Sequence, residues 1–531
     1  MNLAPKAILA AAILSASGAA MAEKFRIADI DYELDGTKQY AVEKAVEVNT
    51  KRVFSSYEEF HAYMDNLQQE FTNQRVFDTA ELTYRYEYED GTTGDTPKGD
   101  DDGESITIVH AHLRATDSKH MLLVPYPKYN SNSGLNLKLK LKDMNFLGTM
   151  SVLSSDINFS IEYDEQDSSD KDYVIGANFS YDYPFKAGPF DSSWNNSFGI
   201  DMTLGETIPE FSYETGFTFE LPFDTYSIKL DLTEGIYRDM DYEEYGDELY
   251  FKTDATFSLP LKIAEIENWG SVKWTPSVEF EVNYDKDGIS PENSDISSPL
   301  LTFGHSIGTE RIDWLGNFRN GLSVSFGQTV GYNFQKDTYP VKVYSKLKAY
   351  KAFKYAGISA QAYAFAAMDG SEKIGSMLRG IKDDQYYADY DKKALDVPAA
   401  IVFSLDIPVH IVTTDWTGWI GWVFGEESWI SRHTGWMRYF DFELQLSPFG
   451  DMALAKNDVT GKAFAIKDGW YAGGLEMLVY PAKWRSLVVR GSVGIDAGRK
   501  IVDKVVDKLF DSSWRKNCSA VEIYIGIGLQ Y

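Results

Sequence analysis

The chain has 531 residues, with 80 acidic against 51 basic side chains and a formal net charge of −29. A surface of that sign repels phosphate, which argues against a nucleic-acid partner. One cysteine, Cys518, excludes an intrachain disulfide or a multi-cysteine metal site. After residue 22 no apolar run reaches the roughly 18 residues of a membrane-spanning helix.

Residues 1–22 read as an export signal. Lys6 supplies a basic start, Ala7 to Ala19 an apolar stretch, and Ala20-Met21-Ala22 the small residues of a cleavage site before Glu23. An exported chain without disulfides or apolar helices is either periplasmic or an outer-membrane barrel.

From 23 to 116 the spacing predicts strand, helix, helix, strand, strand. FRIADIDYEL alternates Phe25, Ile27 and Ile30 with polar positions, and QYAVEKAVEV has helical spacing. Ser55 or Ser56 caps a second helix whose Phe60, Met64, Leu67 and Phe71 form one stripe. Val76 to Tyr88 and Ile106 to Leu113 read as a hairpin around the acidic tip DGTTGDTPKGDDDGES. That tip reads as a solvated loop, because the first ligand of a calcium-loop pattern would fall on Lys98. This order, with VFSSYEEFHAYMDNLQQEFTNQRVFDTAELTY at its centre, resembles one POTRA domain. The resemblance implies a docking module that adds a client strand to an open sheet edge.

Residues 117–531 read as a continuous array of strands. Leu137, Leu139 and Leu141 alternate with Lys138, Lys140 and Lys142, and Phe440, Phe442, Leu444 and Leu446 with Asp441, Glu443 and Gln445. A transmembrane barrel turns one such face to lipid and the other to a wet lumen, which reconciles a membrane protein with a mean hydropathy of −0.31. At roughly 26 residues per strand and connection, the segment holds about 16 strands. The expected fold is therefore mainly β, a closed antiparallel transmembrane barrel preceded by one small α+β domain. Trp416, Trp419, Trp422, Trp429 and Trp436 crowd a stretch between two strands, as an interfacial aromatic girdle would. RKIVDKVVDKLF, with Ile501, Val505 and Leu509 in register, predicts a helix in an outer loop before the last strand.

Three motifs resemble the BamA/TamA superfamily. Tyr524, Gly526, Leu529 and Tyr531 fit polar-x-Gly-x-x-apolar-x-aromatic, the pattern such barrels present to their insertion machinery. In GSMLRGIKDDQYYADY, Leu378-Arg379-Gly380-Ile381 resembles the V/I-R-G-F/Y tip of a loop folded back into the barrel. Leu378 here replaces Val or Ile, and Ile381 replaces the aromatic. Val489-Arg490-Gly491-Ser492 is a second candidate, but only the first leaves room for the five strands that come after the motif in the family. The resemblance implies an ion pair between Arg379 and a lumen-facing acid, for which Asp451 is the candidate. Asn145, Gly148 and Thr149 match the family's N-x-x-G-T run at the first hairpin.

The resemblance implies insertion or translocation of unfolded clients at the bacterial outer membrane, with the N-terminal domain in the periplasm. Outer-membrane lipids, unfolded periplasmic clients and accessory periplasmic or lipoprotein partners would be its contacts, with no cofactor. The alternative is a passive channel or surface protein of the same architecture. A lesser alternative is a hydrolase using Ser306, because Gly304-His305-Ser306-Ile307-Gly308 matches G-x-S-x-G. That motif needs a strand-to-helix turn, its surroundings alternate as strands, and only His410 and His433 come after it. The expectation is that the chain is not an enzyme.

Overall fold

The computed structural model describes residues 24–88, 92–97, 106–130, 134–163, 171–240, 242, 246–266, 269–289, 296–381, 385–387, 389, 392–506, 509–510, 513–515 and 521–529. The export signal, Lys98 of the acidic tip, Cys518 and Tyr531 lie outside the described residues. No described helix is long and apolar enough to cross a membrane.

The chain divides into two compact units, one ending at Ser118 and the other beginning at Lys119. In the first, β1 (Lys24–Asp35), α1 (Gln39–Ala45), α2 (Tyr57–Asn73), β2 (Phe77–Glu87) and β3 (Ile106–Asp117) succeed one another in that order. β3 is central, parallel to β1 and antiparallel to β2. Ser56 caps α2 by accepting from the Glu59 N–H at 3.2 Å, and the Glu59 carboxylate reaches back to the Ser55 N–H at 2.8 Å. The helix therefore starts where two backbone donors find side-chain acceptors. Its Phe60, Met64, Leu67 and Phe71 are buried, and Phe60 stacks on Phe25 of β1 with ring centroids 5.2 Å apart.

β1 pairs on its outer side with Val53–Phe54, at Phe25 and Arg26. From Ile27 onward that edge has no ladder partner among the described residues. His110 on the central strand ties both neighbours together. Its Nδ1 lies 2.7 Å from Asp29 of β1, and its Nε2 lies 3.0 Å from Glu87 of β2.

The second unit is built on one large antiparallel sheet, with a separate two-stranded ribbon of Glu372–Lys373 and Asp396–Val397. It opens with β4 (Met121–Asn130) and β5 (Gly134–Asp143); ten strands, β6 to β15, then occupy 153–352. β16 (Gly357–Met368) and β17 (Ala399–Asp406, continued by Val409–Thr413) come next. β18 (Phe442–Ala455), β19 (Trp470–Pro481), β20 (Val489–Asp496) and β21 (Val521–Ile527) complete it. With each interrupted strand taken once, eighteen strands succeed one another among the described residues, more than the sixteen expected. The excess arises because several connections are tighter than assumed: Gly188-Pro189 and Gly316-Asn317 each suffice for a hairpin. Gly188 and Gly316 adopt φ of 63° and 64°, the left-handed region that glycine enters without penalty. The pairing finally returns from β21 to β4.

Alternation along the strands sorts the side chains. Leu139, Trp194, Phe217, Phe280, Phe303 and Ile523 are exposed on the outside, while Glu443, Gln445, Ser447 and Asp451 share the inner face of β18. Pro448 introduces no shift in that parity.

The Trp-rich stretch lies between two strands, β17 and β18, as expected, and there forms α3 (Trp416–Phe424), α4 (Trp429–His433) and a 3₁₀ segment, Gly435–Phe440. Asp415 and Ser428, each accepting from a backbone N–H of its helix's first turn, outweigh the apolar pattern there. RKIVDKVVDKLF yields one π turn, Gly498–Val502, and Asp503–Val505, before Val506 turns extended. Ser306 sits mid-strand in 300–315, opposite Gly327 and Thr275, so the sharp turn of a nucleophile elbow is not formed.

The His110 bridge gives the N-terminal unit a pH dependence. Its hydrogen bond to Asp29, and then that to Glu87, raise the imidazole above its ordinary value near 6.5. Charged histidine is thus favoured in the folded state, and its stabilisation is complete below about 6.5. It is lost as pH rises through the raised folded value. Hydrogen-exchange protection of β1 and β3 in the full chain is expected to fall over that window. His110→Gln removes the dependence; an unchanged profile in that variant refutes the assignment.

Candidate functional site

The described residues of the connection between β16 and β17, within 369–398, fold into the ring. Ile374, Leu378, Ile381, Tyr387 and Leu395 are buried against Tyr363, Phe365, Val402, Ala453 and Trp470 on the inner wall. The aliphatic Ile381 therefore fills an apolar pocket at the motif's fourth position. Trp470 also donates its indole N–H to Gln385 of the loop at 2.9 Å.

At the tip, Arg379 meets Asp451 of β18 three times. Its backbone N–H and Nε both donate to Oδ2 at 2.9 Å, and Nη2 donates to Oδ1 at 2.7 Å. Asp451 is the partner expected from the sequence, and two further acids that the sequence did not single out join it. Nη1 donates to Asp406 of β17 at 2.7 Å, and Glu476 of β19 lies 3.6 Å away. The guanidinium also stacks over the Phe449 ring, 3.8 Å from its centroid. Arg490, from the rejected second motif, lies on β20 and donates to Glu476 at 3.3 Å while resting over the Tyr524 ring. Two guanidinium groups thus face three carboxylates. The signal that could have found Asp406 and Glu476 is parity: each is a lone acid in an otherwise apolar or small-residue strand.

The backbone at the tip is pressed against β20. Gly380 has φ +93°, and a Cβ there would stand 2.3 Å from the Ile495 nitrogen. A Cβ on Gly494 would stand 2.8 Å from the Arg379 carbonyl carbon. Both positions need glycine, one for conformation and one for space. Gly380 then donates its N–H to Glu522 of β21 at 2.9 Å. The loop tip is therefore bonded to β18, β17 and β21 together.

Among the described residues β21 has the shortest ladder between neighbouring strands of the ring: it shares seven residue pairs with β20 but two with β4, Glu522–Asn130 and Ile523–Tyr129. β4 in turn shares ten pairs with β5. Beyond Ile523 the β4–β21 ladder is not continued among the described residues. There the Trp484 indole N–H donates instead to the Met121 carbonyl at 3.1 Å, and the Lys119 N–H to the Lys483 carbonyl at 2.8 Å.

Two other motifs shape this region. Tyr524 lies over Gly526, where a Cβ would collide with its ring, and Leu529 packs beside Leu478, Tyr480 and Val488. Asn145 builds the turn after β5, its side chain accepting from Met150 N–H at 2.8 Å. Thr149 Oγ1 donates to the Phe146 carbonyl at 2.6 Å, and Gly148 takes φ 73°.

No family model and no curated protein matches the chain. Among solved structures, CdiB from Acinetobacter baumannii aligns over 95% of this chain and 74% of its own, at 10% identity and TM-score 0.47. CdiB from Escherichia coli aligns over 96% and 76%, at 10% identity and TM-score 0.45. BamA from Haemophilus ducreyi lacking POTRA domains 1-3 aligns over 94% and 84%, at 12% identity and TM-score 0.36.

Breaking the Arg379 cluster strands buried charge. Removing one partner of such a cluster costs roughly 3–5 kcal/mol, because the remaining ions lose their compensation. Arg379→Ala is expected to open the loop 369–398 to added protease while the strands remain folded. Asp451→Asn, which keeps acceptor shape, should have a smaller effect. Gly494→Val, which touches no charge, should release the loop equally. Full protection in all three variants would contradict this arrangement.

Proposed function

We propose that the chain is an outer-membrane protein of the BamA/TamA type that inserts or translocates unfolded clients by strand addition at the β4–β21 junction. The observation that carries this reading is that the described residues form a two-pair ladder at that junction, flanked by ladders of seven and ten. In a hydrocarbon environment an unpaired backbone N–H or C=O costs several kcal/mol, so a spanning sheet must close on itself. A closed ring with one short ladder has a defined place to part. On parting it presents two strand edges whose polar groups a client strand can satisfy.

The remaining features fit the same reading. The outside of the ring is apolar and exposed, suited to lipid, and the inside is polar and partly filled by the loop 369–398. The N-terminal unit, read as a single periplasmic POTRA module, offers the unpaired edge of β1 to an incoming segment. The eighteen strands would span the outer membrane with both ends of the ring's chain on the periplasmic side. No step requires a nucleotide, a metal or a covalent intermediate.

Closing the junction tests the mechanism. Cysteines replacing Tyr129 and Ile523, which face each other in the ladder, should form a disulfide under oxidation. Client insertion by the oxidised double variant is expected to stop and to return on reduction. Insertion at an unchanged rate with the bond formed rules out strand addition at this site.

A further inference from the structure

Chain direction alternates around the ring, so every connection falls at one of its two ends. At the end where the chain enters at Lys119 and leaves after Ile527, the connections are short, except one: residues 414–441 between β17 and β18. This excursion is not a slack loop. Thr414 and Phe442 close its base, with the Thr414 N–H donating to the Phe442 carbonyl at 2.9 Å and the Phe442 N–H to Thr414 Oγ1 at 2.8 Å. The Trp416 N–H donates to Asp441, and its indole to the Phe440 carbonyl at 3.0 Å. The helices it holds nevertheless turn their largest apolar side chains outward. Trp422 is 88% exposed, Trp429 73% and Trp436 58%. Soluble surfaces rarely display such a contiguous aromatic patch without a partner.

Three observations point to one occupant. The excursion leaves directly from a strand that itself ends in exposed apolar side chains, Ile407 and Ile411. The residue type of the patch is indole, whose apolar body and polar N–H suit the boundary between acyl chains and headgroups. The turns on either side of the excursion are cationic although the chain is strongly acidic: Lys354 lies at 353–356, and Lys483 and Arg485 lie in the turn after Pro481. Within the excursion Arg432 and Arg438 stand against four acids, of which Asp415 and Asp441 accept from backbone N–H groups and Glu426 and Glu427 make up the rest.

We propose that residues 414–441 form a foot that lies in the lipid interface of one leaflet, with its indoles among the upper acyl chains and its cations beside headgroup phosphates. The foot rests on the membrane-spanning reading of the ring and adds an asymmetric lipid contact to it, setting the depth of the ring at β17 and β18.

The test is quenching of tryptophan fluorescence. The full chain is reconstituted in phosphatidylcholine–phosphatidylglycerol bilayers with acyl chains brominated near the headgroup, and in unbrominated ones. It is compared with a variant in which Trp419, Trp422, Trp429 and Trp436 are phenylalanine. Emission from those four, taken as the difference between the two proteins, should fall at least twofold in brominated bilayers. A second background in which Trp416 and the four are all phenylalanine keeps the outer-wall Trp194 and Trp274 and reports on the ring. Quenching of the outer-wall tryptophans without quenching of the four overturns the foot and leaves the ring in lipid. Absence of both overturns the spanning reading and the foot with it. A dimer that the substitutions dissociate also overturns it, in favour of a second copy as the occupant. Should the fourfold variant misfold, Trp422→Phe and Trp429→Phe singly give the same difference measurement.

Discussion

Backbone hydrogen bonding around a continuous antiparallel sheet is the constraint on which the rest of this molecule depends. Each strand carries donors and acceptors on both edges, and a ring satisfies both edges everywhere only when every ladder is long. Among the described residues the ladders are long except between β4 and β21. The ring therefore concentrates its unmet pairing capacity in one place instead of spreading it, and that place lies beside the packed loop tip.

The loop and the junction share a strand. Arg379 gathers Asp406 and Asp451 at bonding distance with Glu476 close by, from three strands of the inner wall, while the adjacent Gly380 N–H is held by Glu522 on β21. A buried guanidinium is tolerable only when its charge and its five donors are met, so the cluster works as a unit. Gly380 and Gly494 let two backbones touch, which converts a side-chain cluster into a rigid contact between loop and wall. Movement of β21 away from β4 would be felt at the loop tip through Glu522, and the loop's placement would in turn bias β21.

The two ends of the ring are built differently. One carries the long infolded connection; the other is trimmed to tight turns apart from a helical excursion of unusual aromatic content. In the proposed setting that difference matches two different surroundings, because a sheet inserted in a bilayer must also fix its height relative to each leaflet.

Much of the architecture was legible in one dimension. Period-two alternation from 117 onward, the stripe Phe60-Met64-Leu67-Phe71 and the break between the two units come from local spacing, which a chain must respect whatever it packs against. Parity put Asp451 on the side of Glu443 and Gln445, and the resemblance to the BamA/TamA superfamily implied that this side faces the lumen. What only the tertiary structure decided involves residues far apart in the chain. The strand number depended on turns tighter than average, and the tryptophans became helical because two side-chain caps could form. Asp406, Glu476 and Glu522 joined Arg379 because registers of separate strands, set by hairpin geometry around the whole ring, brought their carboxylates to one point. Local sequence determines which way a side chain faces; only closure of the ring determines what it faces.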